Sequence, residues 1–131
     1  MEYKKEFDEW NSVKKRLGED PFPWFFKEKE IWWCSIGVNV GSEHDGKGRN
    51  FIRPVYIVKK VSQETFIGIP LTSKLKEDHA HVSFYFNYDL STAILNQVRV
   101  FDKKRLLTYI GITSDYLHNK MKKTIAAWLA G

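Results

Sequence analysis

Residues 53–60 read Arg53-Pro54-Val55-Tyr56-Ile57-Val58-Lys59-Lys60. β-Branched and aromatic side chains suit a pleated, half-buried surface, so this run predicts a strand. Pro54 has no amide hydrogen and biases Arg53 towards extended backbone, which marks the strand entry. Upstream, Glu30 to Ile36 (EIWWCSI) predicts a second strand, on which Trp32 and Trp33 point to opposite faces. Downstream, Thr65 to Leu71, His81 to Phe86 and Thr92 to Leu95 predict three more, with Arg99 to Phe101 and Leu107 to Ile112 as further candidates.

Two helices flank these strands. Tyr3, Phe7, Trp10, Val13 and Leu17 recur at three- and four-residue steps, an amphipathic stripe that Gly18 ends and that the segment to Pro23 connects onward. At the other end Ser114 suits an N-cap and Asp115 the first turn. Leu117, Met121, Ile125, Trp128 and Leu129 follow on one face. Short strands joined by polar turns, without βα alternation, predict a mainly β fold with terminal helices, a small half-open barrel rather than a doubly wound sheet. Residues 1–27 read as a helical extension and connector, and 28–131 as the barrel domain.

At 131 residues, 43% hydrophobic, the chain suits one domain and excludes a two-domain enzyme. No apolar run approaches the roughly 18 residues of a membrane span, and MEYKKEFDEW lacks a signal peptide's apolar core, so a cytoplasmic protein without membrane contact is expected. Cys34 is the only cysteine, which excludes a disulfide framework and a Cys-cluster zinc site; in a strand without a neighbouring histidine it reads as a core residue. Residues 1–29 hold seven basic and seven acidic side chains, leaving fourteen basic against nine acidic in the remainder, which carries the whole net charge of +5. Such a localised surplus suits a polyanion, of which nucleic acid is the commonest.

Three segments carry candidate chemistry. The loop Gly37 to Asn50, with Ser42, Glu43 and His44, is polar and glycine-rich, but its spacing is not that of a phosphate-cradling P-loop. A solvated hairpin tip accounts for it as well as a binding loop does. At its base stands Arg53, either a plain edge-strand arginine or a guanidinium whose planar fork clamps a phosphate. Pro70-Leu71-Thr72-Ser73-Lys74 ends a strand with two hydroxyls and an ammonium. Gln97 to Arg105 holds four cations and one acid in its last seven residues, and the alternation suggests that Arg99 and Asp102 lock into a local network. His79 and His81 share a strand face but lack supporting acids, so no metal or other cofactor is expected.

Read together, these segments resemble the MazF/PemK family of bacterial toxin endoribonucleases. The matching stretches are Glu30-Ile-Trp-Trp33, Gly41-Ser-Glu43 ahead of Arg53-Pro54-Val55, Pro70-Leu-Thr-Ser73, Gln97-Val-Arg99 with Asp102-Lys103 and Arg105-Leu106, and Ile110-Gly111. They follow the family's order over about residues 28 to 130. The resemblance implies an SH3-like half-open barrel, a homodimer, a cognate antitoxin, and metal-independent cleavage of single-stranded RNA at a short sequence through attack of a 2′-hydroxyl. It places the catalytic arginine and threonine at Arg53 and Thr72, with Ser42, Glu43, His44, Ser73, Lys74, Gln97 and Arg99 as substrate-binding candidates. Two positions depart from one branch of the family: Asn96 stands where an acid acts as base, and Ile94 where an arginine acts as acid. That pair is absent, and Glu43 and His44 are the remaining candidates for the base. The alternative from another class is a non-catalytic SH3-like module that binds nucleic acid or a protein.

Overall fold

The structure, a computed structural model, describes residues 25–36 and 52–131. The expected helix at Tyr3 to Leu17 and the loop residues Ser42, Glu43 and His44 lie outside the described residues. Seven strands follow in order: β1 (Glu30–Ser35), β2 (Ile52–Lys60), β3 (Thr65–Thr72), β4 (His81–Phe86), β5 (Asp89–Ile94), β6 (Arg99–Asp102) and β7 (Leu106–Ile112). Helix α1 (Asp115–Ala130) closes the chain, and short 3-10 turns occupy Leu95–Gln97 and Lys103–Arg105.

The sheet runs β4-β5-β3-β2-β1-β7, with β6 also paired to β3 and every pairing antiparallel. β3 decides the shape. One edge pairs with β2; along the other, β6 covers Thr65 to Gly68 and β5 takes over at Leu71 and Thr72. Pro70, which has no amide hydrogen to donate, sits at this hand-over, opposite the place where the chain leaves β5 in a 3-10 turn before rejoining β3 as β6. β5 begins three residues earlier than the sequence suggests. Asn87 and Tyr88 both take positive φ, 53° and 69°, the geometry of a tight hairpin that the sequence lacks a glycine to advertise.

The two faces of the sheet are both covered. One face contributes Trp32 and Cys34 of β1, Val55 and Ile57 of β2, Phe66 of β3, Phe101 of β6 and Leu106 of β7 to a single buried cluster. Five strands meeting in one cluster means that this part of the sheet curls into a barrel. The Phe66 and Phe101 rings stack across β3 and β6 with centroids 5.3 Å apart, and burying each stabilises by roughly 1.5–3 kcal/mol. Gly68 permits the curl, since a Cβ there would lie 2.7 Å from Val55 Cγ1 and 2.9 Å from Phe66 Cε2. On the other face Ile31, Tyr56, Ile69, Leu71, Phe84 and Phe86 pack beneath Met121 and Ile125 of α1. Phe86 of β4 fills the space beside Gly111 of β7, so the two ends of the strand order approach each other while the barrel stays half-open.

Ser114 caps α1, its hydroxyl accepting the Leu117 amide at 3.1 Å. The buried stripe is His118, Met121 and Ile125, continued by half-buried Trp128. Leu129, expected on that face, is 64% exposed, because it lies a further 100° round the helix from Trp128. Trp32 and Trp33 occupy opposite faces as expected, and both are buried, Trp33 against Ile52, Leu107 and Ile110.

Candidate active site

Antiparallel pairing brings the end of β1, the start of β2 and the end of β3 to one mouth of the barrel. Cys34 lies opposite Arg53, and Val55 opposite Pro70. Arg53 lies two residues before Val55 and Thr72 two residues after Pro70, so both stand just beyond the end of the β2–β3 ladder. β2 lies between β1 and β3, so the reading of Arg53 as an edge-strand residue is corrected: both edges of its strand are paired. Arg53 and Thr72 are half-buried, and among the described residues no hydrogen bond or ion pair engages the guanidinium. The Thr72 hydroxyl accepts the Lys74 amide at 3.3 Å, which leaves its own hydrogen to donate. Thr72 pairs with buried Thr92 on β5, whose hydroxyl bonds Ser83 of β4 at 2.7 Å, so a row of hydroxyls crosses three strands here. Ser73 is half-buried and Lys74 exposed just beyond the strand end.

The excursion between β5 and β6 opens a cleft of about 310 Å³, lined by Ile36, Pro70, Asn96, Gln97, Val98 and Arg99. Gln97 is exposed in the 3-10 turn, and Arg99 lies at the first position of β6. Among the described residues, no carboxylate lines this cleft. Arg99 donates through Nη2 to the Ile36 carbonyl at 2.9 Å, and its guanidinium covers the Phe101 ring at 4.6 Å. Partial burial, then the nearby Arg105 charge, pushes the Arg99 pKa down. Asp102 instead accepts the Lys104 amide at 2.8 Å, so the expected Arg99–Asp102 network does not form; side chains three apart on a strand face opposite sides. Arg105 is one of the four cations counted in the run Gln97 to Arg105. It is half-buried and donates through Nη1 to the Ser35 carbonyl at 3.2 Å. The signal missed was long-range: both arginines bond the end of a strand more than sixty residues away.

Cys34 is fully buried, and burial pushes its thiol up strongly against the opposing pull of Arg105 and Arg99, so it stays an inert core thiol. Among the described residues, no three His, Cys, Asp or Glu side chains gather as metal ligands do, and no helix is long and apolar enough to cross a membrane.

A mainly antiparallel half-open barrel with a C-terminal helix, carrying arginines and hydroxyls at one mouth, defines the class as a small SH3-like barrel. Residues 27–129 match the family model of the PemK-like, MazF-like toxins of type II toxin–antitoxin systems, and the chain belongs to that family. No curated protein matches it in sequence. Its fold is similar to MazF from Deinococcus radiodurans, with a TM-score of 0.62 at 14% identity over 82% of this chain and 99% of that one. It is also similar to an endoribonuclease of a mycobacterial species in complex with its cognate antitoxin, TM-score 0.59 at 15% identity over 79% and 93%. The Mycobacterium tuberculosis toxin MazF-mt6 gives a TM-score of 0.57 at 13% identity over 77% and 96%.

Proposed function

We propose that this chain is the toxin of a type II toxin–antitoxin pair and acts as a sequence-specific endoribonuclease on single-stranded RNA. The observation that supports the proposal is the placement of Arg53 and Thr72 on adjacent central strands, each two residues beyond the last β2–β3 pair, with Pro70 of that pair lining a cleft that no carboxylate among the described residues enters. In the reaction a 2′-hydroxyl attacks its own phosphate and the bond to the 5′-oxygen breaks. The products are a 2′,3′-cyclic phosphate and a 5′-hydroxyl; one proton leaves the nucleophile and one reaches the leaving oxygen. Arg53 donates to the non-bridging oxygens as charge builds on the phosphorane, a contribution of about 10²–10³ in rate for one well-placed donor. Thr72 donates its free hydrogen to the phosphate and fixes it in line. Ser73, Lys74, Gln97 and Arg99 hold the strand along the cleft, with Ser42, Glu43 and His44 contributing from the loop, and Glu43 or His44 supplies the base.

The family match, beginning at Lys27, supports reading residues 1–27 as an extension to the barrel domain. In this reading the protein is cytoplasmic and homodimeric, and a cognate antitoxin holds it inactive, as the family's type II systems imply. The test is cleavage of single-stranded RNA in a chelator. We expect cut products from the wild type, none from Arg53→Ala or Thr72→Ala of unchanged melting temperature, and none from a substrate with a 2′-deoxy scissile nucleotide. Salt-dependent binding without cut products would instead identify a non-catalytic module.

A further inference from the structure

We propose that Arg99 and Arg105 together form a phosphodiester-binding subsite at the barrel mouth, a short step along the nucleic-acid strand from Arg53 and Thr72. The proposal rests on the reading of the cleft as an RNA site and adds a residue, Arg105, and a pairing to it. The two side chains come from different elements, β6 and the 3-10 turn that follows it, and converge on consecutive carbonyls, those of Ile36 and Ser35. Each guanidinium has five N–H donors and spends one on its carbonyl, so the anchor orients the group and leaves the remainder of the fork. Among the described residues neither is paired with a carboxylate.

Two like charges anchored on neighbouring carbonyls, with no acid paired to either among the described residues, repel each other; an anion between them removes that cost, and a phosphodiester offers oxygens to two forks. The depressed Arg99 pKa, with Arg105 among its causes, agrees with that repulsion. Position selects the ligand. The carbonyls of Ser35 and Ile36 lie one and two residues beyond the Cys34–Arg53 pair, about 3–7 Å along β1, the scale of a nucleotide step. Ile36 and Arg99 also line the cleft itself.

The test measures binding of a mixed-sequence single-stranded DNA of about 12 nucleotides, which lacks the attacking hydroxyl, at several salt concentrations. Full-length wild type, Arg99→Gln, Arg105→Gln and Arg105→Lys are compared, each with its melting temperature. We expect each Gln variant to bind about tenfold more weakly and the slope of log K against log salt to fall by about 0.7, the loss of one single-strand phosphate contact. Arg105→Lys keeps the charge and should retain the slope. With cleavable RNA the Gln variants should raise KM more than they lower kcat. An unchanged slope in Arg99→Gln overturns the subsite even if Arg105→Gln does not fold, because Arg99 is exposed. A lower melting temperature with an unchanged slope likewise reduces the pair to a barrel-end cap. If wild type binds with the expected slope but cuts no RNA, the nuclease reading fails and the subsite stands; if it cuts and the slopes match, the subsite alone fails.

Discussion

The two ends of β1 treat charge in opposite ways. Where the strand begins, Glu28, Lys29 and Glu30 each have a protein partner. Glu30 is buried and accepts the Trp32 indole N–H and the Lys27 amide, both at 2.9 Å. Lys29 pairs with Asp115 at the start of α1, and Glu28 accepts the Lys60 amide at 3.1 Å while its other oxygen lies 3.6 Å from His118 Nε2. Where the strand ends, Arg99 and Arg105 bond carbonyl oxygens, and among the described residues none of Arg53, Arg99 and Arg105 pairs with an acid. Paired charge fastens the helix and the lead-in turn to the sheet. Unpaired charge, held in place by carbonyls, keeps its field for a ligand. The comparison predicts that substitutions at the first end change stability and those at the second change catalysis and binding.

The largest effect expected is at the second end. Arg53→Ala should lower the cleavage rate by about 10²–10³, equivalent to 2.7–4 kcal/mol of transition-state stabilisation, with little change in melting temperature. A matching loss of stability would break the comparison, because it would make Arg53 part of the scaffold. Next is Glu30→Ala at the first end. It removes a buried acceptor that serves two donors, and losing hydrogen bonds to a charged group costs about 1.5–3 kcal/mol. Denaturant unfolding should record that loss, while the specific activity of the folded fraction stays the same.

Much of this contrast was legible in the sequence, and the part that was not has one cause. Strand runs such as RPVYIVKK, the Ser114 cap and the buried Cys34 are local or near-local features, fixed by propensity and alternation. The anchoring of Arg99 and Arg105 depends on which strand end lies nearby, and nothing within a few residues of either encodes that. His118 is a second instance. It sits beside the apolar stripe of α1, yet it is buried, its Nδ1 hydrogen-bonded with the Tyr56 hydroxyl of β2 across the core. Thr72 stood out as a strand-end hydroxyl and took its expected role from the resemblance; its cross-strand neighbour Thr92 became visible only with the register.

A pH titration sharpens the first end further. Burial, aided by the Lys122 charge, holds His118 below its ordinary pKa, outweighing Glu28. The unfolded chain titrates this histidine near 6.5, so its contribution to stability is complete above that pH. As pH falls below about 6.5 the unfolded chain takes up the proton first, and stability declines until the lower folded value is passed. Urea midpoints at about pH 7.5 and about pH 5.5 should therefore differ in the wild type, and that component should vanish in His118→Gln. Asp115, lowered by its bond to Lys29, acts in a separate window, losing its contribution only as pH drops below the ordinary aspartate range.

The smallest effect expected is at the helix cap, and it is the cleanest separation of the two ends. Ser114 accepts the Leu117 amide, and Thr113 beside it bonds the Lys29 carbonyl through both its amide, at 2.9 Å, and its hydroxyl, at 3.1 Å. Ser114→Ala leaves the Thr113 bonds intact and strips only the cap, at a cost of about 1 kcal/mol. The melting temperature should fall by several degrees, about 4–8 °C per kcal/mol being the scale for a domain slightly smaller than this one. Ser114→Asp should restore most of it, since aspartate caps as well and its charge favours the helix N-terminus. Neither substitution touches the barrel mouth, so cleavage rate and the salt slope of binding should both stay at the wild-type value. A change in either, without further unfolding, would mean that α1 is coupled to the mouth through the Tyr56 and Ile31 layer, and the two ends of β1 would then have to be treated as one cooperative unit.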